Sequence, residues 1–387
     1  MAPRNILHLI DTGGPGGAET VYATLLARLD PGRWRSIAVV PEVDWLHGAL
    51  RSAGVEPLVV PTHGSFDIRY LRRLHGIARR NGAEIIHAHL LTSGVYGGML
   101  GRLRGVPVVC TFHGHADVPA DERFRAVKFR ILDHRRNRIV FVSAALRRAF
   151  LRRHRLDPAR TEVIPNGIDA RVFRAGTRGG LRAELGLPET TILVGAVGNI
   201  RASKDYPTLL RAAAALRRRS AAYRVVIVGD TRDAGYDGLL ALRSSLGLDQ
   251  TVIFTGFRED VHGIMGDFDI YVISSSAEGF SLSTIQAMAC GVPVVATRCG
   301  GPEEIIEDGV TGVLVPTGAP EALADAVHAL AGDVVRRERF SRVARERVER
   351  RFTVESMVQA YSALYERCLA DARPVRDGVA RRDVTVA

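Results

Sequence analysis

The sequence predicts an α/β protein with two doubly wound, Rossmann-like domains that face each other across a cleft. Short β-branched runs alternate with segments of helical periodicity, a pattern typical of parallel βαβ units. The pattern occurs twice, once on each side of a glycine- and arginine-rich stretch at residues 171–180. With 387 residues, the chain is long enough to bury two hydrophobic cores.

The first domain is predicted to span residues 1–174. Apolar runs of strand length predict buried strands at residues 6–10, 36–40, 58–60, 85–88, 106–111 and 139–143. Helices such as 18–29 and 93–104 are expected between them, because apolar residues recur there with helical spacing.

The second domain is predicted to span residues 175–353. Its strands are expected at residues 192–197, 225–228, 252–255, 270–273 and 292–296. Helices are predicted at 321–330, 335–351 and 354–369, and residues 371–387 are expected to form a mobile tail. Ligands of doubly wound sheets bind beyond the carboxyl ends of the strands, so the functional loops should follow Ile10, Thr111, Val197 and Ile273.

The composition indicates a globular protein: 46% of residues are hydrophobic, 25% are charged, and no tract is of low complexity. Four scattered cysteines include no C-x-x-C pair, which argues against a zinc site or a redox couple. No apolar stretch has the length of a signal peptide core or a membrane span. We therefore expect a cytoplasmic protein.

Positive charge is concentrated in the first half of the chain. Residues 1–174 contain 27 basic and 15 acidic residues, a net charge of +12, whereas the remainder contains 26 and 27, a net charge of −1. Such a domain could attract an anionic membrane, nucleic acid or a charged acceptor. Only Lys128 and Lys204 are lysines, so a general preference for arginine explains part of the excess, but not the shortage of acids.

A glycine-rich loop follows the first predicted strand and precedes a helix. Its residues Gly13–Glu19 include Gly16 and Gly17, which let the backbone approach a ligand, while the helix amino terminus offers N–H groups to an anion. The spacing does not match G-x-G-x-x-G, so a dinucleotide fold is a weak alternative. The other alternative is that the loop is a turn with a purely structural role.

Two cations lie three residues apart after the first strand of the second domain. Arg201 and Lys204 follow Asn199 and precede a helix, a spacing that suits a diphosphate. The alternative is a solvated basic loop. Because the chain has only two lysines, a lysine at this position is unlikely to arise from composition alone.

A carboxylate next to a helix start marks the third candidate stretch. Glu278 precedes Gly279 and Phe280, and a helix is expected to begin at Ser281, Leu282 and Ser283. A carboxylate can bind sugar hydroxyls, and the N–H groups of a helix start can bind phosphate.

In this order the motifs resemble glycosyltransferase family 4, whose members share the GT-B fold. The resemblance covers nearly the whole chain. The motifs that carry it are Gly16-Gly17-Ala18-Glu19, His87-Ala88-His89, Thr111-Phe112-His113-Gly114, Val163-Ile164-Pro165-Asn166-Gly167-Ile168-Asp169, Arg201 with Lys204, Gly256-Phe257, the Glu278 stretch, Gly300-Gly301 and Gly309-Val310-Thr311-Gly312.

The resemblance implies retaining transfer of a sugar from a nucleotide-diphosphate donor, with UDP favoured over GDP. It implies that Arg201 and Lys204 hold the diphosphate, that Glu278 contacts the sugar, and that His113 lies at the reacting centre. Gly16 and Gly17 would close over the phosphate from the opposite domain, and helix 354–369 would cross back onto the first domain. The other expected donor contacts are Asn199, Phe257, Arg258, Gly279, Phe280, Ser281, Leu282, Ser283 and Gln286.

One position departs from the family pattern. The family usually has a second glutamate eight residues after the first, where it holds the ribose hydroxyls, and this chain has Gln286. An amide oxygen still accepts a hydrogen bond but carries no charge. The ribose hydroxyls would therefore be held by a neutral amide in place of a carboxylate.

The acceptor is expected to bind first-domain loops near Asp11, Thr12, Ser93 and Tyr96. No metal or other cofactor is expected. Asp267-Phe268-Asp269 resembles a D-x-D metal motif but precedes a strand, where Asp269 fits a strand-entry residue. The i, i+2 pairs His87/His89 and His113/His115 lack a third nearby ligand.

Segment 144–155 predicts a helix with Arg147, Arg148, Arg152 and Arg155 largely away from its apolar face. It could lie on anionic lipid, as expected for an enzyme that glycosylates lipid carriers, or it could simply pack on its own sheet.

Two functions compete with glycosyl transfer: epimerisation of UDP-N-acetylglucosamine without an acceptor, and non-enzymatic binding by a basic protein. The Glu278 stretch favours transfer. The sequence has no nucleic-acid motif or aromatic stacking platform, so no nucleic-acid partner is expected.

Overall fold

The computed structural model describes residues 2–62, 64 and 66–372. The described residues form two parallel sheets with helices on both faces. Successive residues of a strand enter different cores: Ile6 packs with helix Gly17–Arg28, and Leu7 packs with helix Ile68–Arg80. The two-domain α/β fold that the sequence predicts is confirmed.

The first sheet has seven parallel strands. Their spatial order is Leu58–Val59, Trp34–Val40, Arg4–Leu9, Ile85–His89, Val108–Phe112, Asn137–Phe141 and Thr161–Val163. Six of them match predicted strands, and the edge strand Thr161–Val163 is an addition. The order reverses between Arg4–Leu9 and Ile85–His89, which is where such sheets bind ligands.

The second sheet has six parallel strands. Their spatial order is Val252–Gly256, Tyr223–Val228, Ile192–Val197, Ile270–Ile273, Val294–Thr297 and Val313–Val315. The edge strand Val313–Val315 was not predicted. The order reverses between Ile192–Val197 and Ile270–Ile273, whose following loops contain Lys204 and Glu278.

Helices connect the strands. Those of the first half are Gly17–Arg28, Trp45–Ser52, Ile68–Arg80, Leu91–Arg104, Arg125–Leu132 and Ala144–Arg153. Those of the second half are Leu181–Glu184, Tyr206–Arg219, Tyr236–Ser245, Val261–Ile264, Leu282–Ala289, Pro302–Ile305, Pro320–Gly332, Val334–Arg351 and Val354–Ala372. Within the described residues, no helix is both long and apolar enough to cross a membrane.

The last helix, Val354–Ala372, packs on the first sheet although it follows the second domain. The indole nitrogen of Trp34 donates to the hydroxyl oxygen of Ser362 over 3.0 Å, and Ile168 exchanges backbone hydrogen bonds with Phe352 and Val354. Residues 371 and 372 belong to this helix, which corrects the predicted start of the tail. The rest of the predicted tail lies outside the described residues.

The carboxyl-terminal edges of the two sheets meet. The amide nitrogen of Asn199 donates to the carbonyl of Pro15 over 2.7 Å. Glu304 accepts from the backbone N–H groups of Ala144 and Ala145 over 2.9 and 2.5 Å and so caps helix Ala144–Arg153 from the opposite domain. The loops that follow the central strands of both sheets therefore share one cleft.

Candidate active site

A lysine and a glutamate from separate loops of the second domain form an ion pair in the cleft. Nζ of Lys204 lies 2.7 Å from Oε1 of Glu278, and the two side chains are 21% and 12% exposed. Ser275 donates its hydroxyl to the same carboxylate oxygen over 2.7 Å. The lysine chain folds across Gly198, where an added Cβ would lie 2.8 Å from Cε of Lys204. The pair is therefore held in place from several sides.

Glu278 occupies a turn whose backbone is bonded on both sides. Its N–H donates to the carbonyl of Cys299, and its own carbonyl accepts from the N–H of Gly301. Three residues further, Ser281 caps helix Leu282–Ala289, because its hydroxyl oxygen accepts from the N–H of Thr284. The first N–H groups of this helix point out of its start and suit an anion beside the ion pair.

His113 approaches this turn from the first domain. It follows strand Val108–Phe112, and a Cβ added to Gly279 would lie only 2.0 Å from the carbonyl oxygen of His113. The half-buried Asp117 accepts from the N–H groups of His113 and Gly114 over 2.5 and 3.1 Å. Burial raises the pKa of Asp117 to about 7, although these two hydrogen bonds act in the opposite direction.

Three more histidines lie behind His113 in the core of the first domain. His8, His87 and His89 come from two neighbouring strands, with ring centroids 5.6 Å apart for the first pair and 4.3 Å for the second. Nδ1 of His89 lies 2.9 Å from Nε2 of His113. Burial lowers the pKa of all four imidazoles, so all four are neutral at pH 7.

The C-terminal helix contributes to this row of histidines. Nδ1 of His87 lies 2.7 Å from the hydroxyl of Tyr365, and Nε2 lies 2.9 Å from the hydroxyl of Thr111. Thr111 in turn is 3.1 Å from the hydroxyl of Tyr361. The buried polar groups that support the cleft thus come partly from the end of the chain.

Two family models match most of the sequence. "Glycosyltransferase Family 4" matches residues 15–172, and "Glycosyl transferases group 1" matches residues 191–333. A D-inositol 3-phosphate glycosyltransferase from Saccharomonospora viridis is 31% identical over 299 residues, which cover 72% of this chain and 69% of the relative. The chain belongs to glycosyltransferase family 4. A second D-inositol 3-phosphate glycosyltransferase of the family, from Mycobacterium marinum, is also 31% identical, over 77% of this chain and 68% of its own.

Solved glycosyltransferase structures share the GT-B fold of this family 4 enzyme. Anabaena Alr3699/HepE in complex with UDP-glucose superimposes with a TM-score of 0.84 at 23% identity, over 94% of this chain and 99% of its own. A glycosyltransferase from Rickettsia africae gives 0.83 at 18% identity, over 95% and 99%. Family membership decides against the epimerase and the non-enzymatic protein as functions of this glycosyltransferase.

The glycosyltransferase brings most of its predicted donor residues to the cleft. Besides the pair and the helix start, Leu282 faces the glycine loop, because a Cβ on Gly17 would lie 3.7 Å from its Cδ1. The side chain of Glu19 folds back over Gly16. Arg201 is exposed in the loop before Lys204.

Two predicted donor residues, Phe280 and Arg258, have their side chains engaged within the protein, and a third, Phe257, is exposed. The ring of Phe280 is buried and packs on Phe352 at a centroid distance of 5.7 Å. Arg258 forms ion pairs with Glu184 and Asp260, which raise its pKa. Phe257, in contrast, is 43% exposed.

Gln286 lines a cavity of about 580 Å³ between helix Gly17–Arg28 and the loop at residues 167–173. Its side chain is half-buried, one turn into helix Leu282–Ala289. The residue in place of the family's second glutamate therefore faces the first domain.

The residues predicted to bind the acceptor lie at the same edge of the first sheet. The hydroxyl of Ser93 donates to Asp11 over 3.2 Å, and burial raises the pKa of Asp11, while Thr12 is exposed. Tyr96 is fully buried: its hydroxyl donates to the carbonyl of Gly64 and accepts from the N–H of Asp67, each over 2.6 Å. We therefore correct its expected position, since it supports a loop instead of opening into the cleft.

Both aspartates of the D-x-D sequence already have hydrogen-bond partners within the second domain. Asp267 accepts from the N–H groups of Gly179 and Leu181, and Asp269 accepts from the N–H of Leu193 and pairs with Arg182. Among the described residues, no group of three or more histidines, cysteines or acids is arranged to hold a metal ion.

Proposed function

We propose that this glycosyltransferase moves a sugar from a nucleotide-diphosphate donor, UDP-linked in preference to GDP-linked, to an acceptor hydroxyl with retention of configuration. The observation that carries the proposal is the Lys204–Glu278 ion pair beside the start of helix Leu282–Ala289. It combines a cation and backbone N–H groups for a diphosphate with a carboxylate for sugar hydroxyls.

Charge on the leaving diphosphate is stabilised by Arg201, Lys204 and the helix start near Ser283. Lys204 has three N–H donors and uses one on Glu278, so two remain for phosphate oxygens. Lys204 and the helix start are held in place before the donor arrives, which lets them act without reorganisation. We propose that they replace a metal ion in this task.

Transfer then occurs on one face of the sugar. The acceptor oxygen bonds to the anomeric carbon as the bond to the diphosphate oxygen breaks, and the acceptor proton passes to the departing diphosphate. Glu278 and His113 hold the sugar from opposite domains. Gly16 and Gly17 cover the diphosphate, Phe257 and Arg258 lie toward the base, and Gln286 lies toward the ribose.

The acceptor binds the first domain near Asp11, Thr12 and Ser93, and Tyr96 shapes this region from behind. The curated relatives named D-inositol 3-phosphate glycosyltransferases share 31% of their residues with this chain. An acceptor in glycolipid or polysaccharide synthesis, held at an anionic membrane surface, agrees with the charge of +12 on residues 1–174.

A thermal-shift panel of UDP, GDP and their sugar conjugates, with and without EDTA, tests the proposal. We expect UDP-linked sugars to raise the Tm and EDTA to leave this rise unchanged. Stabilisation by GDP-linked sugars alone would reverse the donor preference, and a rise abolished by EDTA would contradict metal independence. No stabilisation by any donor in the panel would contradict the proposed site.

A further inference from the structure

The loop before helix Ile68–Arg80 and the loop before helix Arg125–Leu132 meet in an exposed apolar cluster. Phe66, Ile68, Phe124 and Val127 are 42%, 57%, 68% and 51% exposed. The rings of Phe66 and Phe124 contact each other edge to face with centroids 6.3 Å apart. We call these four residues the apolar cluster.

Local folding does not account for the two phenylalanines. Both have left-handed backbones, with φ of 72° at Phe66 and 55° at Phe124. Residues with large side chains rarely adopt this conformation. Because both rings are exposed, they also bury little apolar surface when the chain folds. The cluster therefore suits contact with something outside the chain.

Arginines surround the cluster on one side. Helix Ile68–Arg80 buries Tyr70, Leu74 and Ile77 and contains no acidic residue. Its solvent-facing arc has five exposed arginines, Arg69, Arg72, Arg73, Arg79 and Arg80. In the described part of the chain, none of the five has an ion pair.

The arginine-rich composition of the chain does not explain this pattern. Helix Val334–Arg351 is also rich in arginine, but it includes glutamates that pair with its own arginines, as in Arg342–Glu346 and Arg345–Glu349. Helix Ala144–Arg153 was considered from the sequence either as a lipid contact or as a helix packed on its own sheet, and in the structure it ties Arg147 to Thr161 and Pro158. Its large apolar residues are not exposed.

The apolar cluster lies at the edge of the sheet where the acceptor is expected. Its two loops follow strands Leu58–Val59 and Val108–Phe112 at their carboxyl ends. The buried hydroxyl of Tyr96 holds the first loop through hydrogen bonds with Gly64 and Asp67. Tyr96 itself lies one helical turn after Ser93 in helix Leu91–Arg104. A bilayer on this face would present its headgroups beside the cleft.

We infer that the apolar cluster and the arginine face of helix Ile68–Arg80 dock on a bilayer that contains anionic lipids. The apolar side chains enter the headgroup boundary, and the arginines neutralise lipid phosphates. That the docked enzyme takes its acceptor from this bilayer rests on the proposed function, whereas the docking itself does not.

The test is co-sedimentation of the full chain with vesicles of phosphatidylcholine, alone or mixed with phosphatidylglycerol. We expect binding to the mixed vesicles only, weakened by salt. Arg69→Gln/Arg72→Gln/Arg73→Gln should lower the affinity by about a hundredfold, since each cation near a membrane surface contributes about a fivefold factor. Ile68→Ser/Phe124→Ser should lower it by about tenfold or more, because it removes apolar surface.

Two variants with the same loss of charge provide matched controls. Arg211→Gln/Arg218→Gln/Arg350→Gln alters exposed residues of the second domain, and Arg148→Gln/Arg152→Gln/Arg155→Gln alters the helix predicted from sequence. If either lowers vesicle binding as much as the Arg69 triple variant, diffuse charge and not this surface binds the membrane. No binding to mixed vesicles, or tighter binding to single-stranded RNA than to them, would also overturn the inference.

The donor thermal shift, measured on every variant, separates this inference from the proposed function. Lost vesicle binding with an unchanged shift by UDP-sugar supports the surface and keeps the donor site. A wild-type chain that binds mixed vesicles but no nucleotide sugar would contradict the proposed function alone. The Tm of each unliganded variant shows whether it folds.

Discussion

Nδ1 of His89 lies 2.9 Å from Nε2 of His113, and the two rings are inclined by only 14°. Both imidazoles are neutral, because burial lowers both pKa values, that of His113 to about 3. One hydrogen therefore lies between them, donated by one ring and accepted by the other. Nε2 of His89 and Nδ1 of His113 have no other partner among the described residues.

The two possible tautomers differ in what they leave unpaired. If His113 donated to His89, an N–H of the fully buried His89 would have no acceptor, which is a costly arrangement. If His89 donates, the hydrogen of His113 lies on Nδ1, which is also buried and has no partner among the described residues. Neither arrangement is favoured by the protein alone, and we propose that a sugar oxygen of the bound donor accepts from Nδ1 of His113 and so selects the second.

Replacing His89 should therefore lower activity through His113. We expect His89→Leu to lower kcat by about tenfold or more, since His113 loses the partner that fixes its tautomer. His89→Asn retains an amide donor near Nδ1 and should recover part of the rate. Nitrogen NMR should show the Nδ1–H tautomer of His113 in the native enzyme with a nucleotide sugar bound, and a mixture in His89→Leu under the same conditions. A single unchanged tautomer in His89→Leu would contradict this explanation.

Lys204→Ala should lower kcat/KM by roughly ten- to a hundredfold or more, because the leaving diphosphate loses a charge-assisted hydrogen bond. The carboxylate of Glu278 then also loses its cation. Steady-state kinetics with the donor found in the thermal-shift panel measure this effect. Arg211→Ala, on the exposed side of helix Tyr206–Arg219, is the control for loss of a cation. Unchanged turnover in Lys204→Ala would remove this residue from the site.

The sequence predicts which loops contain the candidate site, but not how their side chains pair. Lys204 and Glu278 follow different strands, and both loops were expected at one edge because parallel strands end there. The ion pair depends on the packing of side chains 74 positions apart, which no local pattern records. The burial of Tyr96 likewise depends on the loop at Gly64, which is distant in sequence.

The row of histidines also could not be predicted from local sequence patterns. His87 and His89 appeared as an i, i+2 pair without a third ligand, which was a correct description of the pair alone. The alignment of His8 with His87 follows from strand Arg4–Leu9 lying beside strand Ile85–His89, and strand order is a tertiary property. The sequence signal that could have indicated this row was the presence of a histidine in each of two predicted buried strands. The short edge strands Thr161–Val163 and Val313–Val315 were missed because three residues show too little periodicity.

Gly279→Ala should disrupt the contact between the two domains. An added Cβ would lie 2.0 Å from the carbonyl oxygen of His113 and 2.8 Å from Cα of Gly114, so the backbone must shift. We expect kcat/KM to fall by about tenfold or more, because sub-ångström placement of groups around the sugar is lost. Gly238→Ala meets no atom within 4 Å, lies in helix Tyr236–Ser245, and should instead stabilise the protein by up to about 1 kcal/mol. Equal activities for the two variants would contradict the close approach.

His8→Leu should stabilise the protein most at acidic pH. Both ring nitrogens of His8 are buried without a partner, and burial lowers its pKa from 6.5 to about 3. Between these two values the unfolded chain binds a proton that the folded chain rejects, so stability falls as the pH decreases. Removing the imidazole should recover about 2 kcal/mol at pH 5, where the unfolded side chain is mostly protonated. Denaturant unfolding at pH 5 and pH 7 measures the difference, with His262→Leu on an exposed residue as the control. An equal effect of His8→Leu at both pH values would contradict the assignment.

Gln286→Glu should tighten nucleotide binding if this residue faces the ribose. A carboxylate accepts hydrogen bonds from two neighbouring hydroxyls more strongly than an amide oxygen does, and the difference should amount to about three- to tenfold in Kd. The cavity beside Gln286 leaves room for the ribose between helix Gly17–Arg28 and the loop at residues 167–173. Isothermal titration with UDP and with uracil separates the contributions, because uracil has no ribose and should bind both proteins alike. Gln286→Ala should weaken UDP binding by a comparable factor. If both substitutions leave the Kd for UDP unchanged, the ribose lies elsewhere, and Gln286 belongs to the contact between the domains instead of the donor site.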